Sequence, residues 1–333
     1  MMNGRIIVAL LAVAASTSAA AAQDAPTAAP TTRKTWELTP DNRLQPVAPA
    51  PGVVARSTEG RPDGLDDLNA IAPLLEQKRY DAAFDRLVAW LKAHPASSVR
   101  DRALLMTADA LWGRGEGIKA FYYCDELMDR HPDSAYYQTA LQKQYDIADA
   151  YLNGKRDPWL FMHIADRNDE ALEMLFRIQN RSPGSPTSEN AMLRSADFYW
   201  ARGDWDFAAD AYGAYARTYP RSPRAKQAQL REAYSNLAQV RGPNFDPTPI
   251  LNARATLKQL QSTDPELYKA EALDEKIVLA DRFLARRVYL SGDYYKKIGK
   301  PDAAAHLYQR VVELYPTTPE ADDARAALRK LGK

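Results

Sequence analysis

The sequence predicts an all-α fold of helix pairs repeated in tandem. Three observations predict it. Between Ala191 and Pro223, AMLRSADFYWARGDWDFAADAYGAYARTYPRSP, apolar residues recur at helical spacing on both sides of one glycine. The order small residue, aromatic, glycine, alanine, aromatic, proline then returns along the chain. The prolines that close the second helix of each pair are Pro95, Pro132, Pro183, Pro220, Pro265 and Pro316, spaced 37, 51, 37, 45 and 51 residues apart.

The stretch 191–223 sets the template. Met192, Ala196 and Tyr199 share one face of a first helix. Gly203 ends it, because a left-handed residue at a helix C-terminus is least costly without a Cβ. Ala208, Ala209, Tyr212 and Tyr215 form the inward stripe of the second helix, which Tyr219-Pro220 stops. Ser222-Pro223 reads as the start of the next helix, with serine as N-cap. This is the tetratricopeptide pattern, whose unit is about 34 residues. Small residues let the two helices cross closely, so enlarging Ala208 or Ala304 is expected to cost about 1–3 kcal/mol.

The 333 residues are 46% hydrophobic and 26% charged, an ordinary globular composition. Residues 1–22 read as a secretory signal peptide: Arg5, an apolar run from Ile6 to Ala15, then Ala20-Ala21-Ala22 before Gln23. That run is too short to span a bilayer, which takes about 20 residues, and no later stretch is long and apolar enough. The chain is therefore expected to be exported across the inner membrane to the periplasm, with no transmembrane span. Without Arg5 the remainder carries 43 basic and 43 acidic residues, a balance that does not point to nucleic acid, which calls for a basic stripe, though it leaves an uneven distribution open. Residues 23–64, with prolines at 26, 30, 40, 46, 49, 51 and 62, read as a disordered tether carrying Trp36.

Residues 65–333 then divide into about six helix pairs. The first has Ile71, Leu74, Ala83, Leu87 and Trp90; the second has Ala108, Leu111, Gly115, Ala120, Cys124 and Leu127. The third opens with Ala148 and Tyr151, is interrupted near 154–165 by GKRDPWLFMHI, and resumes with Ala171, Leu175 and Ile178. The fourth is the template. The fifth begins near Ala228, is interrupted at 241–249 by RGPNFDPTP, and resumes with Ala253, Leu257 and Leu260. An extra helix over about 267–286 runs into the sixth, with Gly292, Tyr295, Gly299, Ala304 and Tyr308. Thr318-Pro319 starts a final helix whose charged outer face suits the end of a solenoid. Cys124 is the one cysteine, so no disulfide forms within the chain, and its inward position marks it as a small buried hydrophobe. The histidines at 94, 131, 163 and 306 fall in different repeats, a spacing that forms no metal site.

TYPRSPRAKQAQLREAY and LYPTTPEADDARAAL resemble the Tyr-Pro-x-Ser/Thr-Pro junctions of the BamD-like family. LADRFLARRVYLSGDYYKKIGKPDAAAHLYQRVVELYP (279–316) is similar to that family's last repeat, and DRNDEALEMLFRIQNRSPGSP (166–186) to another. The resemblance implies a periplasmic helical-repeat protein associated with assembly of outer-membrane β-barrels, partnered by components of that machinery. Members are typically lipoproteins anchored through a cysteine at the mature N-terminus. Here Ala22-Gln23 stands at that point, so no N-terminal lipid anchor is expected.

No Gly-rich phosphate loop, Cys-x-x-Cys, His-Glu-x-x-His or Gly-x-Ser-x-Gly is present, and neither an enzyme nor a cofactor is expected. One constellation does recur. Asp109, Asp149, Asp197 and Asp293 each follow the small crossing residue of a first helix. Three residues further stand Trp112, Leu152, Trp200 and Lys296, on the same helix face. In this fold that face lines the groove, and carboxylates with tryptophans suit a basic or aromatic-bearing peptide. The alternative is structural: each Asp pairs with an Arg of a neighbouring repeat and each Trp fills an inter-repeat gap. The expected function is a non-catalytic envelope scaffold that binds proteins or extended peptides. A periplasmic coordinator of envelope or division machinery, and an accessory subunit of an envelope enzyme, are the rival readings.

Overall fold

A computed structural model describes residues 36–38, 44–46, 62–155 and 167–332. The chain divides at Gly60 into two units. In the first, β1 (Trp36–Leu38) pairs antiparallel with β2 (Leu44–Pro46), Trp36 opposite Pro46 and Leu38 opposite Leu44. The prolines of this stretch point to no regular structure, and this short hairpin departs from that expectation. Pro46, which has no N–H to give a ladder, stands at the end of its strand. The leader at 1–22 and the insertion after Lys155 lie outside the described residues.

The described residues of the second unit form helices joined by turns. Its pairs are α1 (Leu65–Glu76) with α2 (Tyr80–Ala93), α3 (Arg100–Gly113) with α4 (Gly117–Arg130), and α5 (Tyr137–Leu152) with α6 (Asn168–Arg181). There follow α7 (Pro186–Arg202) with α8 (Trp205–Thr218), and α9 (Ala225–Ala238) with α10 (Thr248–Thr263). The short α11 (Pro265–Ala270) precedes α12 (Leu273–Lys297), which pairs with α13 (Pro301–Leu314). A lone helix, α14 (Pro319–Lys330), packs on both. Six pairs and a closing helix make an all-α helical-repeat solenoid in which each helix packs mainly on its chain neighbours.

The small crossing residues are fully buried: Ala108, Ala148, Ala196, Ala208 and Ala304 all have no exposed surface. Tyr212, Tyr215 and Tyr308 fill the spaces beside them. Cys124 is fully buried on α4, and loss of water pushes its thiol up to about 12. Gly203 takes the left-handed conformation, φ 74°, that ends α7.

Three details of the helix boundaries differ from the sequence reading. First, α9 begins at Ala225, not at Ser222-Pro223. The Ser222 hydroxyl donates to Glu189 and accepts the Arg224 N–H at 3.1 Å, two residues on rather than three, and residues 221–224 make an extra turn. The other Ser-Pro junction behaves as the rule predicts. Ser185 caps α7, its hydroxyl accepting the Ser188 N–H at 3.1 Å, with Pro186 in the first turn. Second, no continuous helix covers 267–286. The chain breaks after α11 at Ala272, whose φ is 49°, and α12 then runs unbroken for 25 residues. Third, α14 starts at Pro319 as expected, but the cap expected of Thr318 does not form: its hydroxyl donates back to the Tyr315 carbonyl.

The insertion at 241–249 is pinned rather than free. The Asp246 carboxylate accepts the N–H and hydroxyl of Thr248 at the start of α10, which holds its pKa low. Arg287 of α12 reaches across to donate to the carbonyls of Pro243 and Phe245.

Candidate peptide-binding face

The four aspartates stand on first helices α3, α5, α7 and α12, each directly after the crossing position. The crossing packs the preceding residue inward, which turns the aspartate toward the next first helix. Asp109 accepts an ion pair from Lys143 of α5 at 2.5 Å. Asp149 accepts Arg194 Nε of α7 at 2.5 Å, and Asn153 donates to its other oxygen. Asp197 accepts Arg231 of α9 at 2.7 Å. The cation lies one repeat ahead each time: 34 residues from Asp197, and 45 from Asp149, whose repeat carries the insertion.

The ion pairs do not bury the carboxylates. Asp109, Asp149 and Asp197 keep 39%, 34% and 41% of their side-chain surface exposed. Pairs this wet contribute little stability, about 0–1 kcal/mol each. They fix the carboxylates in a row while one edge of each stays in water.

The aromatic members sit beside the same contacts. Trp112 packs on the core and carries the Lys155 ammonium 3.0 Å above its ring. Trp200 lies edge-on to Trp205 and Tyr212, with centroids 5.3 and 6.1 Å away, and the Arg231 guanidinium stands 5.6 Å from its ring. Leu152 is half-buried at the matching place on α5. Lys296 is exposed. The contacts expected of the structural reading are thus present at Asp109, Asp149 and Asp197, and the row that a peptide would use is half-exposed along the same helices.

Sequence reasoning missed the tyrosines that join this row. The Tyr212 hydroxyl donates to Asp197 at 2.5 Å and accepts from Arg231 at 2.7 Å, closing a triangle. The Tyr308 hydroxyl donates to Asp293 at 2.7 Å. Both tyrosines follow their aspartate by 15 residues, and that repeated interval was the available signal. Burial, then the hydrogen bond to the aspartate, raises both phenol pKa values. A second node joins α7, α8 and the turn before α9. Glu189 of α7 accepts from Tyr215, Ser222 and Arg224 at 2.6, 2.7 and 2.8 Å. These bonds, led by that from Tyr215, hold its carboxyl below the ordinary range.

His94 bonds Asp63 at 2.9 Å and stacks 4.8 Å from Trp90. Among the described residues no helix is long and apolar enough to cross a membrane.

Helix pairs with buried crossing alanines and an edge-exposed row of charged and aromatic side chains define a helical-repeat scaffold for protein interaction. The family model of YfiO, an outer membrane lipoprotein, matches residues 164–331. The chain belongs to that family, the BamD-like tetratricopeptide proteins of the cell envelope. A search of the curated proteins finds no match. Among solved structures, the chain is similar to the C-terminal part of a TPR repeat-containing protein from Cytophaga hutchinsonii, with 14% identity and a TM-score of 0.35 over 77% of this chain and 85% of that one. It is also similar to PilW, a type IV pilus biogenesis factor, with 16% identity and a TM-score of 0.27 over 78% and 96%. The TPR2AB domain of yeast Sti1 matches with 15% identity and a TM-score of 0.20 over 80% and 98%.

Proposed function

We propose that this protein is a non-catalytic periplasmic scaffold that takes part in assembly of outer-membrane proteins. Its first-helix face would hold an extended polypeptide. The observation that carries this reading is the row itself: Asp109, Asp149 and Asp197 are fixed by ion pairs yet stay more than a third exposed. Membership of the YfiO family over residues 164–331 supports the envelope setting. A fixed carboxylate row beside half-buried tryptophans suits a peptide with basic and aromatic side chains, because both halves of the contact are in place before binding. Capture with the tagged protein from detergent-solubilised envelope tests the reading. Recovery of barrel-assembly components is the expected result. Recovery of division proteins or of a catalytic subunit in their place would overturn the assembly role.

A further inference from the structure

Repeats four and six align without a gap from Ala196 and Gly292 through Arg231 and Ala327. The turn glycines Gly203 and Gly299, the crossing alanines Ala208 and Ala304, and the tyrosines Tyr212 and Tyr308 all coincide. So do the buried Ala225 and Ala228 of α9 with Ala321 and Ala324 of α14. The aspartate–tyrosine hydrogen bond is the same in both, 2.5 Å at Asp197 and 2.7 Å at Asp293. One member differs. The third corner of the Asp197–Tyr212 triangle is the guanidinium of Arg231, and Ala327 stands at that place on α14.

Every other aspartate of the row takes its cation from one repeat ahead. Asp293 has no ion pair among the described residues. Lys296, one turn on, is exposed and does not reach it at ion-pair distance. Lys296 stands at the place of Trp200, and the ring beside Tyr308 is instead Tyr289, one turn before Asp293 on α12, with centroids 5.3 Å apart. Burial raises the Tyr289 phenol, the negative charges of Asp293 and Asp323 add to the rise, and Arg286, 5.7 Å from its ring, opposes it.

We propose that Asp293, Tyr308 and Tyr289 form a receptor for an arginine side chain carried by a partner polypeptide. The partner's guanidinium pairs with the exposed edge of Asp293, as Arg231 pairs with Asp197 in repeat four, while the fully buried Tyr308 holds the carboxylate from within. This deepens the reading of the first-helix face as a binding surface and rests on it. The chemistry is a charge-assisted hydrogen bond to a carboxylate whose other oxygen-bound partner, the tyrosine hydroxyl, is already set. A ring on one side favours a planar guanidinium over an ammonium.

Fluorescence anisotropy with a labelled Gly-Ser-Tyr peptide carrying one central arginine, and with its neutral citrulline counterpart, tests the assignment. The arginine peptide is expected to bind the full chain about tenfold or more tighter, the range of a hydrogen bond to a charged group. Asp293→Asn removes that preference. Ala327→Arg also removes it, because the chain then supplies its own guanidinium, and denaturant unfolding of the same samples verifies that both variants fold. Equal binding of the two peptides, no binding of either, or a preference that survives Asp293→Asn overturns the proposal. The broader reading fails separately, if Trp112→Ala and Trp200→Ala leave capture of the envelope partner unchanged.

Discussion

The ring of Tyr308 lies so close across Gly292 that a β-carbon added there would stand 2.7 Å from it. Repeat four has Ala196 at the matching position, against Tyr212, so the α12–α13 crossing is the tighter of the two. Gly292→Ala is therefore expected to destabilise by about 1–3 kcal/mol through overpacking, although alanine is the better helix former. Gly213→Ala on α8 is the control. Its β-carbon would meet the flexible ends of Glu232 and Arg217, which can move aside, so stability should be unchanged or rise. Urea midpoints of the two variants decide the matter, and a larger loss at Gly213 would contradict this packing.

The Glu189 node makes stability depend on acid pH. Its folded pKa lies below the ordinary value of 4.5, because Tyr215, Ser222 and Arg224 stabilise the ionised form. A depressed carboxyl contributes stability that is present above the unfolded pKa and is lost as pH falls through the folded one. Glu189→Gln should cost about 1.5–3 kcal/mol at pH 7, the range for hydrogen bonds to a charged group. The gap between variant and wild type should close as pH falls below about 4. A gap of constant size between pH 7 and pH 3 would show that the charge is immaterial.

Trp112→Ala and Trp200→Ala separate binding from folding. If the row holds a partner, each truncation should weaken binding by about 2 kcal/mol, roughly thirtyfold. The half-buried positions limit the accompanying loss of stability. Partner affinity and denaturant midpoint are measured on the same samples. Large losses of stability with intact affinity would make both tryptophans structural members of the repeat stack.

Cys124 should be inert in the folded protein. It is fully buried and its thiol is pushed up to about 12, so almost no thiolate exists at pH 8. Iodoacetamide at pH 8 should leave the native chain unlabelled and modify it fully in guanidinium chloride. Rapid labelling of the native chain would mean that α4 opens readily.

The repeat pattern was legible because its small residues and aromatics have no other efficient arrangement. Ala196, Ala208, Tyr212, Tyr215 and Cys124 all lie where the helical spacing puts them. The start of α9 was not legible, since Ser185-Pro186 and Ser222-Pro223 read alike. What separates them is Glu189, which lies far from Ser222 in sequence and captures its hydroxyl. The aspartate row was readable from its register, but its cations were not. Lys143, Arg194 and Arg231 are chosen by which turn of the next helix comes opposite, a tertiary relation that the insertion in repeat three disguises.

The apolar interior falls into separate stretches: a large cluster from Leu68 to Ala191, smaller ones around Tyr212, Leu257 and Ile250, and a last one from Ala285 to Ala327. Helices that share few long-range contacts need not melt together. The chain should behave as a row of coupled links, fraying from its C-terminal end while α3 and α4 stay closed. Amide hydrogens of α13 and α14 would then exchange earlier than those around Leu104 and Cys124. The receptor corner at Asp293 lies in that earliest-opening link, where an arriving guanidinium would close the end of the row as Arg231 closes its middle.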